Sequence, residues 1–90
     1  MKMLEEEKKN FSLNLFNTID NILKVQELKI SLGEEKSVNG IINTLEITFI
    51  NNNKPYKVNY DFFTRDYLEH KVGMKKKILD LIIEIIFYNN

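Results

Sequence analysis

The segment from Met74 to Tyr88 constrains the fold most, because its apolar residues, read at helical spacing, cover more than half of the helix circumference. A surface helix of a globular protein usually carries one apolar stripe and a polar opposite face. The only charged side chains in this segment are Lys75, Lys76, Lys77, Asp80 and Glu84. We therefore predict either a central core helix or a helix that also contacts a second copy of the chain from Ile78 to Phe87.

Size and charge limit the classes of function. Ninety residues predict a single domain spanning residues 1–90, and a domain of this size buries only somewhat more than about 60% of its unfolded surface, so deep substrate clefts are not expected. Thirteen basic and thirteen acidic residues cancel. Without a strong overall field to attract phosphate backbones, nucleic acid is the less favoured partner.

The chain has no cysteine, which excludes disulfides and thiolate chemistry and is typical of a reducing compartment. Its N-terminus carries Glu5, Glu6 and Glu7 where a signal peptide needs positive charge and then an apolar run. The apolar C-terminal stretch is shorter than the roughly 20 residues of a membrane span. We expect a cytoplasmic protein that does not contact a membrane.

Periodicity predicts a first helix and then a strand. Apolar residues recur at helical spacing from about Asn10 to Val25, and the charged residues before them favour extending this helix back to near Lys2, with Asn10 as an alternative N-cap. Apolar and polar residues then alternate from Leu28, as in a strand with one face on a core. We expect Gly33 to end this strand.

A β-hairpin is predicted from about Ile41 to Tyr60. Apolar and polar residues alternate on both sides of an Asn-rich turn, and Asn tolerates the positive φ that tight turns need. Pro55 cannot donate a ladder hydrogen bond, which predicts a strand beginning or a sheet edge.

The segment from Asp61 to Val72 predicts a short helix, capped by Asp61 or Thr64 and ended by Gly73, before the final helix. The element order is then α-β-β-β-α-α. An N-terminal helix, a three-stranded antiparallel sheet and C-terminal helices on one of its faces make an α+β fold.

Motifs that carry chemistry are sparse. Three glycines cannot form a phosphate-binding loop or a dinucleotide fingerprint, and His70 is the only histidine available as a base for a hydroxyl nucleophile. Asp66 and His70 share a helix face and would supply two metal ligands, but no spacing identifies the further ligand that a metal site needs. We expect no enzyme activity, no metal and no cofactor.

Two clusters are candidates for contact with a partner. Aromatic residues concentrate between the third strand and the next helix, and aromatics are enriched where proteins bind partners. A basic cluster follows, which would contact an acidic partner or nucleic acid, or would be an ordinary solvated run compensated by nearby carboxylates. The predicted contacts are Tyr56, Phe62, Tyr67, Lys71, Lys75, Lys76 and Lys77.

The stretch from Leu28 to Tyr60, with "LKISLG" followed by "NTLEITFINNNKPYKVNY", resembles the strand arrangement of small phage-encoded anti-CRISPR proteins, in particular an inhibitor of the type II nuclease Cas9. The resemblance implies a helix, a three-stranded antiparallel sheet, following helices, and inhibition by binding. That inhibitor is strongly acidic and imitates DNA, whereas this chain is neutral, so none of its contact residues is carried over.

These observations predict a small protein-binding inhibitor that acts by stoichiometric binding to a host defence protein such as a CRISPR-associated nuclease. Heavy use of Lys, Asn and Ile is typical of AT-rich genomes and fits a phage or mobile element acting in the host cytoplasm. The alternative is a small dimeric DNA- or RNA-binding regulator that uses the lysines from Lys71 to Lys77.

Overall fold

A helix, three strands and a second helix follow one another in the computed structural model, which describes residues 2–88. The elements are α1 (Glu5–Leu23), β1 (Gln26–Ser37), β2 (Gly40–Asn51), β3 (Lys54–Phe63) and α2 (Thr64–Tyr88). The strands form an antiparallel sheet in the order β1-β2-β3, so β2 is central. The predicted α+β class is confirmed, with the two predicted C-terminal helices joined as α2.

Helix α1 begins at Glu5, later than the predicted start near Lys2, and Asn10 lies inside it. The carboxylate of Glu7 accepts a hydrogen bond from the backbone N–H of Leu4 at 3.1 Å, which closes the first turn. Carboxylates in this turn are favoured by the helix dipole. At the other end the N–H of Lys24 still donates to the carbonyl of Asp20, and the left-handed conformation of Lys24 ends the helix.

The prediction that Gly33 ends the first strand is wrong, because β1 continues to Ser37. Gly33 pairs with Thr44 on β2, and a Cβ at position 33 would lie 2.9 Å from the Thr44 hydroxyl oxygen. The glycine therefore permits close approach of two strands. The chain turns instead after Ser37, and Gly40 begins β2 with φ at 126°.

The predicted hairpin is confirmed, with a two-residue turn between β2 and β3. Asn52 and Asn53 have φ of 53° and 64°, the pattern of a type I′ turn, whose twist matches that of the strands. Pro55 is the second residue of β3 and lies opposite Ile50 on an edge strand, as its missing N–H predicted.

Both helices pack on the same face of the sheet, α1 against β1 and α2 against β3 and β2. The opposite face of the sheet carries the Lys57 to Glu46 ion pair at 2.8 Å, and Ile42 and Phe63 lie opposite each other at one end of it. Alternation along β2 explains this division, because successive side chains point to opposite faces. The buried apolar side chains are Met3, Leu15, Ile19, Leu45, Ile47, Phe49, Tyr56, Val58, Phe62, Tyr67, Met74, Ile78 and Ile82.

Helix α2 starts at one of the two predicted caps but is interrupted at a different residue from the one predicted. Asp61 belongs to β3 and the helix starts at Thr64. The interruption falls at His70, which has the non-helical angles φ −136° and ψ 42°, while Gly73 lies within the helix. The short helix predicted from Asp61 to Val72 thus begins at the later of its two candidate caps, Thr64, and the prediction that Gly73 separates it from the final helix is wrong, because the break falls at His70.

Candidate protein-binding surfaces

The three aromatic residues predicted as partner contacts lie in the core. Tyr56 is 9% exposed, Phe62 5% and Tyr67 7%. Tyr56 stacks on Phe49 with ring centroids 5.2 Å apart, and Phe11 of α1 lies edge-on to Tyr67 at 5.4 Å. Contact with a partner through these rings stays a prediction, and their burial argues against it.

Phe62 and Phe63 point to opposite faces of β3, as expected of neighbouring residues in a strand. The ring of Phe62 is buried between β3 and the helices, 5.7 Å from that of Phe11. Phe63 is half-buried and lies opposite Ile42 on the other face of the sheet. Of the two rings, Phe63 is thus the one that a partner can reach.

Of the predicted basic cluster, Lys71 and Lys75 line one small cavity together, whereas Lys76 and Lys77 lie outside it. Successive residues of a helix point about 100° apart, so Lys75, Lys76 and Lys77 face three directions. Lys75 donates to the side-chain oxygen of Asn14 on α1 at 2.6 Å. Lys77 lines a cavity on the other side of the helix, and the ammonium of Lys71 lies 5.3 Å from the centre of the Tyr67 ring.

Large apolar side chains remain outside the core on both helices. Within residues 78–87, Ile78 and Ile82 are completely buried, whereas Ile83 is 45% exposed and Phe87 75% exposed. The rings of Phe87 and Tyr88 meet edge-on at 5.8 Å and are both exposed. Leu79, Leu81, Ile85 and Ile86 are partly buried against the core, so the apolar surface that this helix leaves uncovered is centred on Ile83 and Phe87. Leu13 and Ile22 are exposed in the same way on α1.

A cavity of about 680 Å³ lies between β3 and α2, and sequence analysis missed it. Its α2 wall contains Asp66, His70, Gly73, Met74 and Lys77, at spacings of four, three, one and three residues on either side of the break at His70. Its β3 wall includes Phe62 from the inner face of the sheet and Asp61 from the outer face, so the cavity opens around the edge of the strand. The lining residues are Ile42, Tyr60, Asp61, Phe62, Phe63, Asp66, His70, Gly73, Met74 and Lys77.

One cluster of charges fastens α1 to β1. The Lys8 ammonium donates to the Glu34 carboxylate, and the Lys2 ammonium lies 3.8 Å from the same carboxylate. The hydrogen bond from Lys8, with the positive charges of Lys2 and Lys8, holds the pKa of Glu34 below its usual value, and the same hydrogen bond raises the pKa of Lys8. The role of this cluster is structural, because it joins elements of one chain.

Asp66 and His70 do line one cavity, but no group of three or more His, Asp or Glu side chains that could hold a metal ion is found among residues 2–88. Neither of the helices described combines the length and the hydropathy needed to cross a membrane.

Comparison of the chain with protein-family models, with curated proteins and with solved structures finds no match in any of the three.

Proposed function

We propose that this chain is a small inhibitor that binds a protein target stoichiometrically and acts by occluding or locking it. The observation that carries the proposal is the exposed apolar surface of α2 at Ile83, Phe87 and Tyr88. Contiguous apolar patches on a small protein mark interaction sites, and aromatic side chains are enriched at the centres of interfaces. Binding without catalysis is the function that this surface supports.

A host defence protein such as a CRISPR-associated nuclease is the target class to test first. Support comes from the order of the elements, which is the order that the resemblance to small anti-CRISPR proteins implies. The AT-rich amino-acid usage supports an origin in a phage or mobile element. A standard interface buries about 800 Å² on each partner, and a ninety-residue domain can supply that area with one face of a helix or with a sheet edge.

The side chains of Lys75, Lys76 and Lys77 point in different directions around α2, which favours a protein partner over nucleic acid. A protein that neutralises several phosphates needs its cations on one surface. Lys75 is instead engaged with Asn14, and Lys77 lies on the far side of α2. Salt dependence distinguishes the two functions, because phosphate binding weakens steeply as salt rises.

Self-association through α2 is the second use proposed for this surface. Only its outward residues, among them Ile83 and Phe87, are open to a second copy, since Ile78 and Ile82 are buried in the core. Light scattering at micromolar concentration tests it directly. A dimer that dissociates when the target is added would indicate that both uses share one surface.

The proposal is tested by affinity purification of the tagged chain from a lysate of a low-GC bacterium that carries CRISPR systems. After nuclease treatment and a high-salt wash, we expect one protein at stoichiometric yield, and inhibition of that protein's activity by the purified chain. The variant Phe87→Ser should lose this capture. Val38→Ser is the matched control, because Val38 is a fully exposed apolar residue in the turn between β1 and β2.

If Phe87→Ser captures the target protein as well as the parent chain does, α2 is excluded as the binding surface. Recovery of nucleic acid before the nuclease step, with no protein after it, would contradict the inhibitor proposal and support the regulator.

A further inference from the structure

Two strand edges of this sheet lack a neighbouring strand within residues 2–88. One belongs to β1, on which α1 packs, and the other to β3, on which α2 packs. On β3 the side chains of Lys57, Asn59 and Asp61 are exposed.

The register shows which part of β3 is free to pair. A two-residue hairpin closes on a hydrogen-bonded pair, here Asn51 with Lys54, and such pairs alternate along an antiparallel ladder. Tyr56, Val58 and Tyr60 therefore bond to β2. The backbone groups of the intervening residues, Lys57, Asn59 and Asp61, point away from the sheet. Pro55 also points outward and has no N–H, so it blocks pairing only at the start of the strand.

The large cavity lies beside the same edge. We use the name β3–α2 groove for the free edge of β3 over residues 57–61 together with this cavity. Phe62 and Met74, both buried, line the cavity with apolar surface. Asp61 and Asp66 place two carboxylates in its wall. The one ammonium group among its lining residues, that of Lys77, lies about two helical turns beyond His70.

We propose that the β3–α2 groove binds an extended segment of a partner protein, which adds to the sheet as a fourth strand along residues 57–61. Strand addition supplies main-chain hydrogen bonds for affinity, and a side pocket supplies specificity for alternate side chains. The segment carries an apolar side chain for the cavity and a Lys or Arg, because Asp61 and Asp66 each place a carboxylate in the cavity wall. The inference rests on the proposed function only in that the partner is a protein.

Gly73 makes the groove testable without damage to the fold. It lies in the cavity wall, and a Cβ built at this position meets no atom of the described residues within 4 Å. A larger side chain there fills the groove. Gly73→Leu is therefore the blocking variant, and Lys76→Leu is its control, since Lys76 is exposed and lies outside the cavity lining.

The experiment is selection of a phage-displayed library of random dodecapeptides on the immobilised full chain, followed by titration of an enriched peptide into ¹⁵N-labelled protein. We expect enriched peptides to combine a basic with an apolar residue, and the largest amide shifts to fall at Lys57, Asn59 and Asp61. Gly73→Leu should weaken binding by about tenfold or more, as should the pair Asp61→Asn and Asp66→Asn, while Lys76→Leu should not change it.

No enriched sequence, or an enriched peptide that Gly73→Leu binds as well as the parent chain, would overturn this inference. The same variants separate it from the proposed function. If Gly73→Leu still captures and inhibits the target from lysate, the inhibitor proposal stands and its contact lies outside the groove.

Discussion

Asn43 and Thr64 lie 3.1 Å apart, side-chain nitrogen to hydroxyl oxygen, at the buried point where β3 ends and α2 begins. The amide of Asn43 also donates to the Phe62 carbonyl at 3.3 Å. Both residues are almost completely buried. The pair thus joins the central strand to the strand-to-helix junction on which α2 and the β3–α2 groove depend.

Replacing Asn43 should destabilise the fold at this junction. Asn43→Ala removes both hydrogen bonds and leaves a space in the core, so we expect the free energy of unfolding to fall by about 1–3 kcal/mol in urea denaturation. Asn59→Ala is the control, because Asn59 is exposed on β3 and its loss should change stability by no more than about 0.5 kcal/mol. Equal effects of the two variants would show that the buried amide contributes nothing specific.

A methyl group at Gly33 should be harmful only while Thr44 is present. Alanine is ordinarily the better strand residue, but here its Cβ would lie 2.9 Å from the Thr44 hydroxyl. We expect Gly33→Ala to lower stability by about 1 kcal/mol, and to be neutral or stabilising in a Thr44→Ala background. A double-mutant cycle measures the difference, and additive effects would exclude the contact as the cause.

Gly73→Ala should raise stability, because the glycine lies inside a helix and its Cβ position is open. The expected gain is about 0.5–1 kcal/mol, seen as a higher Tm. Gly40 is the matched glycine with equally open surroundings but φ at 126°, so Gly40→Ala should destabilise through backbone strain. A loss of stability in Gly73→Ala would indicate that the helix around His70 needs a glycine.

Stability should fall at alkaline pH because of Tyr67. Burial, with a smaller effect of the Glu7 charge, raises the pKa of Tyr67 above its ordinary value of 10.0. The folded state therefore holds the phenol proton more tightly, and this stability is present below pH 10 and is lost as pH rises through the folded pKa. Tyr67→Phe should flatten that part of the denaturation profile, whereas Tyr88→Phe, at an exposed ring, should not.

Stability should also fall at acid pH through Glu34. Its pKa in the folded state lies below the ordinary value of 4.5, chiefly because Lys8 donates to it. The stability that the ionised Glu34 adds to the folded state is fully present above pH 4.5. It is lost as pH falls through the lower pKa that Glu34 has in the folded state. Urea midpoints measured from pH 6 to pH 2 should show a smaller loss in Glu34→Gln than in Glu35→Gln, whose carboxylate is exposed. Identical profiles would rule out the ion pair as the source.

The structural features that depend only on residues adjacent in the sequence were predicted correctly. The turn at Asn52 and Asn53 depends on the φ preference of two adjacent side chains, and the edge position of Pro55 depends on one missing N–H. Gly33 was misinterpreted because glycine serves equally for a turn and for close approach of strands, and only the Thr44 hydroxyl distinguishes the two. The break at His70 has no local signal that we can identify.

The candidate surfaces were predicted less well, because a binding surface consists of what the core leaves uncovered. Aromatic residues between β3 and α2 indicated a contact, but Phe11, far away in the sequence, packs on Phe62 and Tyr67 and encloses them. Lysines adjacent in the chain were expected to act together, and the helix turns them apart.

The sequence by itself determined the α+β class, the order of the elements, the hairpin and the excess of apolar surface on the last helix, since each depends on local preference and on periodicity. Only the tertiary structure decided which residues of that helix are buried, and that Asp61 and Gly73 line one groove. These depend on the packing of residues distant in sequence, where the strand register and the position of α1 determine what each side chain meets.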